Sequence, residues 1–530
     1  MLLGISFPPF QTGIFAAIAF IPFFILFESI EDYPTAFRYS YLWLFVFHCI
    51  TLYWAGGFTH GKDGFLMLAG TALLVFHPFF YYPFVWAFMF FRKQFGFKAS
   101  IFTFPLFWIG IEYTRSIGEY SFPWLTLGNT QTYDLSVIQI ASVTGVYGIS
   151  FWLLCLNVLI YFLYAKITVK DWKPLSPQAI IFAFVLIAFY LFPKIYGRIQ
   201  LNKSAEVKQH TQFRVGIVQP NIDPFEKWEK SVDAQLAIHQ QLTNELAKQH
   251  VDLVLWPETA VPFYILDPNN RYYFNLIKHQ VDSLNLNLLT GMPDIHYYHE
   301  NESIPKSSKT AKNGERYDSY NSSMLLQHGI PEVQTYSKMI LVPYAERVPY
   351  SDELSFLNAM KWNFGLGGWG FGKDTTVFQF YANNSEAKFS NLICYESVYP
   401  GFITNFVRKG AQFLTVITND SWWGNTSGAR QHQQYAILRA VENRRWVARC
   451  ANGGISCFID PYGNIFQPTT MFTQVTITQD ISLNDELTFY SKHGDWLAES
   501  CIILGLFLLS ASAGKKIYYS IRKRDSDEIR

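Results

Sequence analysis

The chain has 530 residues, of which half are hydrophobic and only 16% are charged. With 49 Phe, 32 Tyr and 15 Trp, it is too apolar and too aromatic for an ordinary soluble enzyme. The formal net charge of +1 gives no electrostatic argument for binding nucleic acid, and the length allows two or three domains.

Cysteine usage argues against a disulfide framework. The six cysteines are Cys49, Cys155, Cys394, Cys450, Cys457 and Cys501. Three of them lie in strongly apolar segments, and no pair has the spacing of metal ligands or of a redox motif. Cys394 is therefore expected to be a free thiol.

The apolar residues are concentrated in two parts of the chain. Long apolar runs follow one another from residue 1 to about 195, and one more lies near 496–513. The candidate membrane spans are 12–29, 39–56, 66–91, 100–115, 145–165, 178–193 and 496–513. Any single run could be a buried core helix, but six in succession without a polar face favour a membrane bundle.

This pattern predicts a membrane protein with a soluble domain inserted before its last span. The predicted organisation is a transmembrane helical bundle over 1–195, a soluble domain over 210–490, a C-terminal transmembrane helix over 496–513 and a basic cytoplasmic tail over 514–530. Within the bundle, the turn-rich segment 121–128 is too polar to cross the membrane, and we interpret it as an interfacial anchor built around Trp124.

Basic residues between the spans indicate the orientation in the membrane. They fall in three groups: Arg92, Lys93 and Lys98; Lys166, Lys170 and Lys173; and Lys515, Lys516, Arg522, Lys523 and Arg524. Counting spans places the three groups on the same side, which the positive-inside rule assigns to the cytoplasm. The soluble domain is then expected outside the cytoplasm.

Between residues 210 and 490, strand-like apolar runs alternate with amphipathic helices. Strands are predicted over 213–219, 252–256, 286–289, 389–393, 413–417 and 454–460, helices over 234–246 and 429–447, and a polar surface loop over 302–318. This alternation predicts an α/β sheet, in which the carboxyl ends of parallel strands form a site at one edge.

Three reactive side chains lie at or beside the ends of apolar segments. Cys394 follows the run 389–393, Glu258 follows the run 252–256, and Lys338 precedes a short apolar run. If these ends meet at one edge of a sheet, Glu258 is a candidate base for the Cys394 thiol. Lys338 is then a candidate stabiliser of the oxyanion of a tetrahedral intermediate.

Two further acids accompany this group. Glu346, eight residues after Lys338, could hold that lysine charged and oriented, and Glu396 could fix a substrate or a supporting residue beside Cys394. Taken singly, a cysteine is usually a buried thiol and an acid is usually a solvated surface group. The joint arrangement, rather than any one residue, carries the prediction of a site.

One glycine-rich motif does not indicate a nucleotide site. The run Gly365-Leu-Gly-Gly-Trp-Gly370 matches a dinucleotide-binding pattern but neither follows a strand nor opens a helix. It leads instead into a strand-like segment at 376–380, so we interpret it as a loop near the site.

Several motifs together resemble a known family. Trp256-Pro-Glu258, Lys338 with Glu346, and Cys394-Tyr395-Glu396 resemble the Glu–Lys–Cys signature of the nitrilase superfamily of carbon–nitrogen hydrolases. The accompanying motifs are Ser6-Phe-Pro-Pro9, Ser121-Phe-Pro-Trp124, Gly145-Val-Tyr-Gly148 and Asn419-Asp-Ser-Trp422. With them and the apolar spans, nearly the whole chain resembles the bacterial apolipoprotein N-acyltransferase family.

The resemblance implies a four-layered αββα domain on a membrane bundle in the cell inner membrane, facing the periplasm, without metal or cofactor. The implied roles are general base for Glu258, oxyanion stabiliser for Lys338, nucleophile for Cys394, support for Glu346, Tyr395 and Glu396, and substrate binding for Trp228 and Trp422. The family usually has eight spans, so with seven here the first helix is expected to be vestigial or encoded upstream.

The activity implied is a two-step acyl transfer through a thioester on Cys394. The donor is a membrane phospholipid, the acceptor is the α-amine of a diacylated apolipoprotein, and the enzyme is a monomer that binds no nucleic acid. The alternative is a membrane-tethered nitrilase-like amidase that uses water as the acceptor, because both reactions pass through the same thioester. A transporter or receptor is disfavoured by the intact Glu, Lys and Cys and by the few charges inside the spans.

Overall fold

A computed structural model describes residues 1–58, 64–169, 171–173, 175–204, 212–227, 231–299, 301–306, 308–354, 368–382 and 385–528. Trp228 and the first part of the glycine-rich run, 365–367, lie outside the described residues, so the predictions made for them stay predictions.

The N-terminal region and the C-terminus are helical. In chain order the α-helices are α1 (Leu2–Ile5), α2 (Ile21–Glu28), α3 (Tyr33–Leu52), α4 (Gly64–Phe76), α5 (Tyr82–Phe95), α6 (Phe97–Thr114), α7 (Leu135–Ile138), α8 (Ala141–Thr168), α9 (Pro177–Ser204), α10 (Val232–Ala247), α11 (Arg271–Leu284), α12 (Pro400–Arg408), α13 (Ser427–Asn443), α14 (Phe489–His493) and α15 (Trp496–Glu528). Helix α15 therefore continues through the segment predicted as a basic tail.

Within the described residues, four helical segments are long and apolar enough to cross a membrane. They are Leu66–Phe95, Ala141–Thr168, Pro177–Lys203 and Trp496–Arg522, and they contain four of the seven predicted spans. The predicted span 12–29 corresponds to the shorter apolar helical segment Gly13–Glu28, which contains α2. The predicted spans 39–56 and 100–115 fall largely in α3 and α6, whose hydropathy is lowered by polar residues such as His48 and Glu112 that are buried inside the bundle.

The basic groups lie together at one end of this bundle. Lys515 on α15 donates a 2.5 Å hydrogen bond to the carbonyl of Gln94, in the last turn of α5. In the loop after α8, the pKa of Asp171 is lowered by Lys166 at 2.9 Å and also by Lys98. Basic residues from separate connections therefore lie near one another, as the predicted orientation in the membrane requires.

The region after α9 contains two β-sheets. The strands are β1 (Gln212–Gln219), β2 (Leu253–Leu255), β3 (Asn287–Tyr297), β4 (Lys309–Thr310), β5 (Arg316–Gln327), β6 (Ile330–Ser337), β7 (Phe378–Ala382), β8 (Ser385–Ile393), β9 (Phe413–Thr418), β10 (Val447–Ala451), β11 (Cys457–Ile459), β12 (Ile465–Phe466) and β13 (Val475–Ser482). One sheet has the order β13-β1-β2-β3-β5-β4, with β6 also paired to β5, and the other has the order β12-β11-β10-β9-β8-β7.

Each sheet has a parallel centre, which positions the strand ends. Strands β1, β2 and β3 are parallel in the first sheet, and β8, β9 and β10 are parallel in the second. Because the catalytic candidates Glu258 and Cys394 follow β2 and β8, the two sheets each contribute one of them.

The two sheets pack face to face between helices. Asn391 on β8 donates a 3.0 Å hydrogen bond to Ser323 on β5, and the Cys450 thiol on β10 lies 3.3 Å from the carbonyl of Val218 on β1. Helices α10 and α11 cover the first sheet, and α13 covers the second with α12 beside it. The predicted membrane bundle with an inserted αββα sandwich is confirmed.

Several boundaries differ from the sequence prediction. Strands β5, β6, β10, β12 and β13 have no predicted counterpart, and the prediction misses β5 and β13 because their polar sequences resemble loops. Strand β4 and the start of β5 lie in the predicted loop 302–318. The predicted helix 429–447 is too long, since Arg444 takes a left-handed φ of 51° and ends α13. The apolar run 339–342 forms no strand.

Candidate active site

Glu258 is fixed in place by close packing of its main chain. Thr259, directly after it, has a left-handed φ of 47°, and a Cβ atom added to Gly291 would lie 2.8 Å from the Glu258 Cα. Only a glycine on β3 therefore permits this approach. The Glu258 side chain is largely buried, and its Oε1 points toward the predicted lysine.

Lys338 lies between two carboxylates. Its Nζ is 2.8 Å from Oε1 of Glu346 and 3.5 Å from Oε1 of Glu258, and the residue is only 1% exposed. Burial alone would lower the pKa of Lys338, but the charges of Glu346 and Glu258 outweigh it and raise that pKa above its usual value. Lys338 is therefore a buried cation, as an oxyanion stabiliser must be.

Asn321 on β5 connects the same two carboxylates. Its Nδ2 donates hydrogen bonds of 2.8 Å to Glu258 and 3.2 Å to Glu346, and its main-chain carbonyl accepts a 2.8 Å bond from the N–H of Lys338. The sequence prediction does not include Asn321. Strand β5 starts with the polar sequence Arg-Tyr-Asp-Ser-Tyr-Asn-Ser-Ser. Because this sequence looks like a loop, no local signal marks Asn321.

Cys394 occupies a sharp turn where β8 ends and the 3₁₀-helix Cys394–Val398 begins. Its φ of 53° is left-handed, which is a strained conformation for a residue with a side chain and is common at functional sites. The residue is partly exposed, whereas its neighbours Ile393 and Tyr395 are buried.

The thiol of Cys394 lies within electrostatic range of both predicted partners. Burial and the charge of Glu258 raise the pKa of Cys394, and Lys338 opposes this rise. The resting thiol is therefore protonated, so it needs a base to become a nucleophile, and Glu258 stays the candidate for that base. The structure thus brings together the three residues that the sequence places at separate strand ends.

Glu396 links the nucleophile to the segment after the lysine. Its Oε2 accepts a 2.8 Å hydrogen bond from the backbone N–H of Ile393. Its Oε1 accepts bonds of 2.7 Å from the Tyr336 hydroxyl and from the Met339 N–H, and one of 3.3 Å from the Ile340 N–H. These bonds occupy the fully buried carboxylate and join the segment before Cys394 to the segment after Lys338.

Tyr395 connects the nucleophile to the membrane bundle. Its hydroxyl donates a 2.9 Å hydrogen bond to the carbonyl of Ser121, and its ring stacks on Trp124 with a centroid distance of 6.4 Å and an angle of 14°. Trp124 is 1% exposed and donates a 2.8 Å bond to Gln431 on α13. The interpretation of Trp124 as a membrane-interface anchor is therefore wrong, because its ring packs against the catalytic domain.

Of the two predicted entrance residues, the structure describes Trp422. Its ring is partly exposed and meets the edge of Phe225 at a centroid distance of 5.1 Å. In the same segment, Lys227 is buried and its Nζ lies 2.8 Å from Thr259 Oγ1 and 3.3 Å from the carbonyl of Glu258. The segment before Trp228 is therefore joined directly to the Glu258 loop.

Two adjoining cavities lie where the bundle meets the sandwich. A cavity of about 240 Å³ is lined by residues that include Ser121, Met339 and Tyr399, and a second of about 550 Å³ is lined by residues that include Tyr399, Phe402 and Glu499. Tyr399 also forms a 2.8 Å hydrogen bond with the Ser121 hydroxyl. Space is thus available beside the segment that carries Lys338 and at the start of the last membrane helix.

The chemistry available to this group is nucleophilic and acid–base. It comprises a thiol, a carboxylate base and a buried ammonium held by a second carboxylate. Within the described residues, no group of three or more His, Cys, Asp and Glu side chains is arranged to hold a metal ion. A nitrilase-like sandwich with this Glu, Lys and Cys, joined to membrane helices, defines a membrane-bound enzyme of the carbon–nitrogen hydrolase class.

Comparison with known proteins gives the family. Residues 214–486 match the carbon-nitrogen hydrolase model, and residues 1–159 match the model of the apolipoprotein N-acyltransferase N-terminal domain. The chain is 36% identical to the apolipoprotein N-acyltransferase of Chlorobaculum tepidum, over 97% of this chain and 96% of that relative. It is 31% identical to that of Geobacter metallireducens, over 95% and 91% of the two chains. This chain therefore belongs to the apolipoprotein N-acyltransferase family, as its motifs predict.

Proposed function

We propose that this enzyme transfers a fatty acyl chain from a membrane phospholipid to the α-amine of the N-terminal diacylglyceryl-cysteine of an apolipoprotein, through a thioester on Cys394. This is the last step of lipoprotein maturation. The observation that carries the proposal is the contact between Tyr395 and Ser121. It holds the nucleophile against the membrane bundle, where an acyl donor embedded in the bilayer can reach it.

In the first step Glu258 takes the thiol proton while the Cys394 sulfur attacks the ester carbonyl of the phospholipid. Lys338 stabilises the oxyanion of the tetrahedral intermediate with its ammonium. The intermediate collapses, the ester C–O bond breaks, and Glu258 returns the proton to the leaving alcohol. The products are a lysophospholipid and the acyl-enzyme thioester.

In the second step the α-amine of the acceptor attacks the thioester carbonyl. Glu258 takes a proton from the amine, Lys338 again stabilises the oxyanion, and the Cys394 thiolate leaves. An amide is formed, and proton transfer from Glu258 restores the thiol. The roles of Glu346, Asn321 and Glu396 in this proposal are to hold the lysine and the carboxylate base in position.

Membrane helices suit this reaction energetically. An acyl chain of about 16 carbons, at about 0.8 kcal/mol per buried CH₂, represents on the order of 12 kcal/mol of apolar burial. A soluble domain would have to supply that free energy to extract the donor from the bilayer. A site held at the bilayer surface avoids the cost, whereas an amidase acting on small soluble amides would not need membrane helices.

The orientation follows from the basic groups. Lys515 and Gln94 meet at the end of the bundle that carries the positive charges, and we assign this end to the cytoplasm. The start of α15, at the other end of the helix, borders the cavity beside the sandwich. The proposed location is therefore the cell inner membrane, with the catalytic domain in the periplasm and the enzyme acting as a monomer.

The test is mass spectrometry of the purified full-length enzyme after incubation with phospholipid. We expect an added acyl mass on the peptide that contains Cys394, and we expect a diacylated N-terminal peptide to discharge it faster than water does. Cys394→Ala should form neither acyl-enzyme nor amide, whereas Cys49→Ala, a partly buried cysteine of the bundle, should behave like the unmodified enzyme.

Two results would overturn the proposal. Acyl transfer by Cys394→Ala would refute the nucleophile assignment. Discharge of the thioester by water at the same rate with and without the peptide would instead identify a nitrilase-like amidase or esterase activity.

A further inference from the structure

A threonine hydroxyl lies beside the sulfur of Cys394. Thr418 is the last residue of β9, and it is fully buried. The parallel pairing of β8 with β9 ends at Ile393 and Ile417, so Cys394 and Thr418 are the next residues on the two neighbouring strands. The side-chain hydroxyl of Thr418 forms a hydrogen bond with the Cys394 thiol. The nucleophile therefore has a polar partner besides the base and the lysine.

Thr418 is held firmly in this position. Its strand pairs in parallel with β8 on one side and with β10 on the other, and its main-chain carbonyl accepts a 3.1 Å hydrogen bond from the N–H of Asn452. Its hydroxyl donates a 3.0 Å hydrogen bond to Oδ1 of Asp420. Because a β-branched side chain is also stiff about its first torsion angle, rotation of the hydroxyl proton is the main freedom that remains.

The second partner of this hydroxyl, Asp420, only accepts hydrogen bonds. Its Oδ2 accepts a 2.7 Å bond from Arg449, and its Oδ1 lies 2.9 Å from Nδ1 of His432. Burial would raise the pKa of Asp420, but Arg449 and His432 hold it well below its usual value. Asp420 is therefore an ionised carboxylate, and it keeps the bond from Arg449 when the Thr418 proton turns away from it.

The Thr418 hydroxyl suits both protonation states of the sulfur. A hydroxyl has one proton and two lone pairs, and it rotates to suit its neighbours. While Cys394 is a thiol, the Thr418 oxygen accepts from the S–H, and its own proton goes to Asp420. Once the sulfur is negative, the hydroxyl turns and donates to it instead. A hydrogen bond to a charged atom is about twice as strong as one between neutral groups.

We propose that Thr418 is a further catalytic residue, whose hydroxyl donates a hydrogen bond to the Cys394 sulfur whenever that sulfur is negatively charged. The inference rests on the proposed role of Cys394 as nucleophile. In the first step the sulfur is negative once Glu258 has taken the thiol proton, and in the second step it is negative when the amine expels it from the thioester. Thr418 keeps its own proton in both steps, and no covalent bond to its oxygen is made or broken.

The groups around the sulfur show why this donor matters. Burial and Glu258 are the main causes that raise the pKa of Cys394, and Asp420 raises it further. Lys338 opposes the rise, but its ammonium is already paired with two carboxylates. His432, on α13, contacts the main-chain carbonyl of Cys394 at 3.1 Å. A hydrogen bond donated to the sulfur itself therefore lowers the cost of forming the thiolate.

The experiment compares substitutions at position 418 that separate the hydroxyl from the methyl group. Thr418→Val removes the hydroxyl and keeps the shape, Thr418→Ser keeps the hydroxyl and removes the methyl group, and Thr418→Ala removes both. The first measurement is the rate of alkylation of Cys394 by iodoacetamide between pH 7 and pH 9 in the full-length, detergent-solubilised enzyme. Mass spectrometry of the peptide that contains Cys394 separates this thiol from the other cysteines. The second measurement is the rate of acyl-enzyme formation from phospholipid.

We expect Thr418→Val and Thr418→Ala to be alkylated about threefold to tenfold more slowly than the unmodified enzyme. Loss of the hydrogen bond raises the pKa of Cys394 by about one pH unit and so leaves about tenfold less thiolate, although the more basic sulfur recovers part of the rate. Acyl-enzyme formation should slow about tenfold for the same reason. Thr418→Ser should stay close to the unmodified enzyme in both measurements.

Thr415→Val is the matched control for the loss of a buried hydroxyl. Thr415 is on the same strand and equally buried, but its hydroxyl donates a 2.9 Å hydrogen bond to Oδ1 of Asn391. Its substitution should leave the alkylation rate of Cys394 unchanged. A loss in Thr415→Val as large as that in Thr418→Val would overturn the inference, because the effect would then come from disturbing β9.

Two other results would also overturn the inference. One is alkylation of a folded Thr418→Val or Thr418→Ala variant at the unmodified rate. The other is a loss in Thr418→Ser as large as that in Thr418→Ala, which would assign the effect to the methyl group rather than to the hydroxyl.

The outcome is separable from the proposed function, because alkylation requires no phospholipid. If alkylation slows as expected but the unmodified enzyme forms no acyl-enzyme, the hydroxyl supports the thiolate and the proposed function fails. If the acyl-enzyme forms and alkylation does not slow, the proposed function stands and the inference about Thr418 fails.

Discussion

The carboxylate of Glu396 accepts a 2.7 Å hydrogen bond from the backbone N–H of Met339. The other oxygen of the same carboxylate accepts a 2.8 Å bond from the N–H of Ile393. Met339 follows Lys338 and Ile393 precedes Cys394, so one buried side chain sets the separation between the ammonium and the nucleophile. Reactions of this kind depend steeply on such separations, since a displacement of about 1 Å can cost about a hundredfold in rate.

The first prediction concerns the hydrogen bonds that Glu396 accepts from the N–H groups of Met339 and Ile393. Glu396→Gln preserves the shape of the side chain but turns one acceptor into a donor, which then faces an N–H or the Tyr336 hydroxyl. We expect a loss of about 3 kcal/mol of stability and a tenfold to hundredfold slower acylation of Cys394. Thermal unfolding and acyl-enzyme formation measure the two effects.

Glu386→Gln is the control for this substitution, because Glu386 is on β8, the strand that leads to Cys394, but pairs with the partly exposed Lys388. Glu386→Gln should change neither the stability nor the rate of acyl-enzyme formation appreciably. Normal acylation by Glu396→Gln would show that the bridge to Met339 does not position the site.

The second prediction concerns Asn321, which donates to both Glu258 and Glu346. Asn321→Ala leaves Glu258 with Lys338 at 3.5 Å and frees it to rotate. We expect acylation to slow about tenfold to a hundredfold, with a smaller change in stability, because the lost group aligns the base. Mass spectrometry of the acyl-enzyme in samples quenched at successive times gives the rate of acylation.

Ser322→Ala, at the next position on β5, is the control for Asn321. The Ser322 hydroxyl bonds to Ser337 at 2.9 Å and to neither carboxylate. Equal rates for the two variants would mean that the loss is caused by disturbing the strand rather than by releasing Glu258.

The third prediction concerns the contacts of Tyr395 with the membrane bundle. Tyr395→Phe removes the hydroxyl that donates to Ser121 but keeps the ring that stacks on Trp124. We expect a cost of about 1 kcal/mol in stability and a moderate loss of acylation with phospholipid. Tyr395→Ala, which also removes the stack, should lose substantially more in both assays. Identical behaviour of the two variants would contradict a positioning role for the ring.

The fourth prediction is a pH dependence that arises from Lys227. Burial lowers the pKa of Lys227 from its usual 10.5 to about 7, with Glu258 opposing the change. Between these values the unfolded chain keeps a proton that the folded protein has released, so stability rises with pH across this window. Lys227→Met should abolish that rise, which is measured as the difference in melting temperature from the unmodified enzyme at pH 7 and at pH 9.

Lys248→Met provides the reference for this experiment, since Lys248 is exposed at the end of α10. Its melting temperature should differ from that of the unmodified enzyme by the same amount at both pH values. A constant difference for Lys227→Met as well would show that this ammonium keeps its proton in the folded protein.

Much of this architecture can be inferred from local patterns. Runs of apolar residues identify membrane helices, and strands that end in Glu258 and Cys394 predict a site, because hydrophobic periodicity reflects burial directly. Lys338 is marked in the sequence by the apolar run that follows it, but in the structure that run forms no strand and Lys338 instead follows the polar strand β6. Inference from local pattern fails at polar strands such as β5, which are stabilised by pairing with β3 rather than by their own composition.

The remaining features depend on contacts between distant parts of the chain. Glu258 and Asn321 are 63 positions apart, Met339 and Glu396 are 57 apart, and Tyr395 is 274 residues from Ser121. A hydrogen bond is specified by position and angle within a few tenths of an ångström, and no local periodicity encodes such a distance. Residue type thus indicates which groups can react, whereas the folded arrangement places Asn321 and Lys338 beside Glu258 and joins Tyr395 to the membrane bundle.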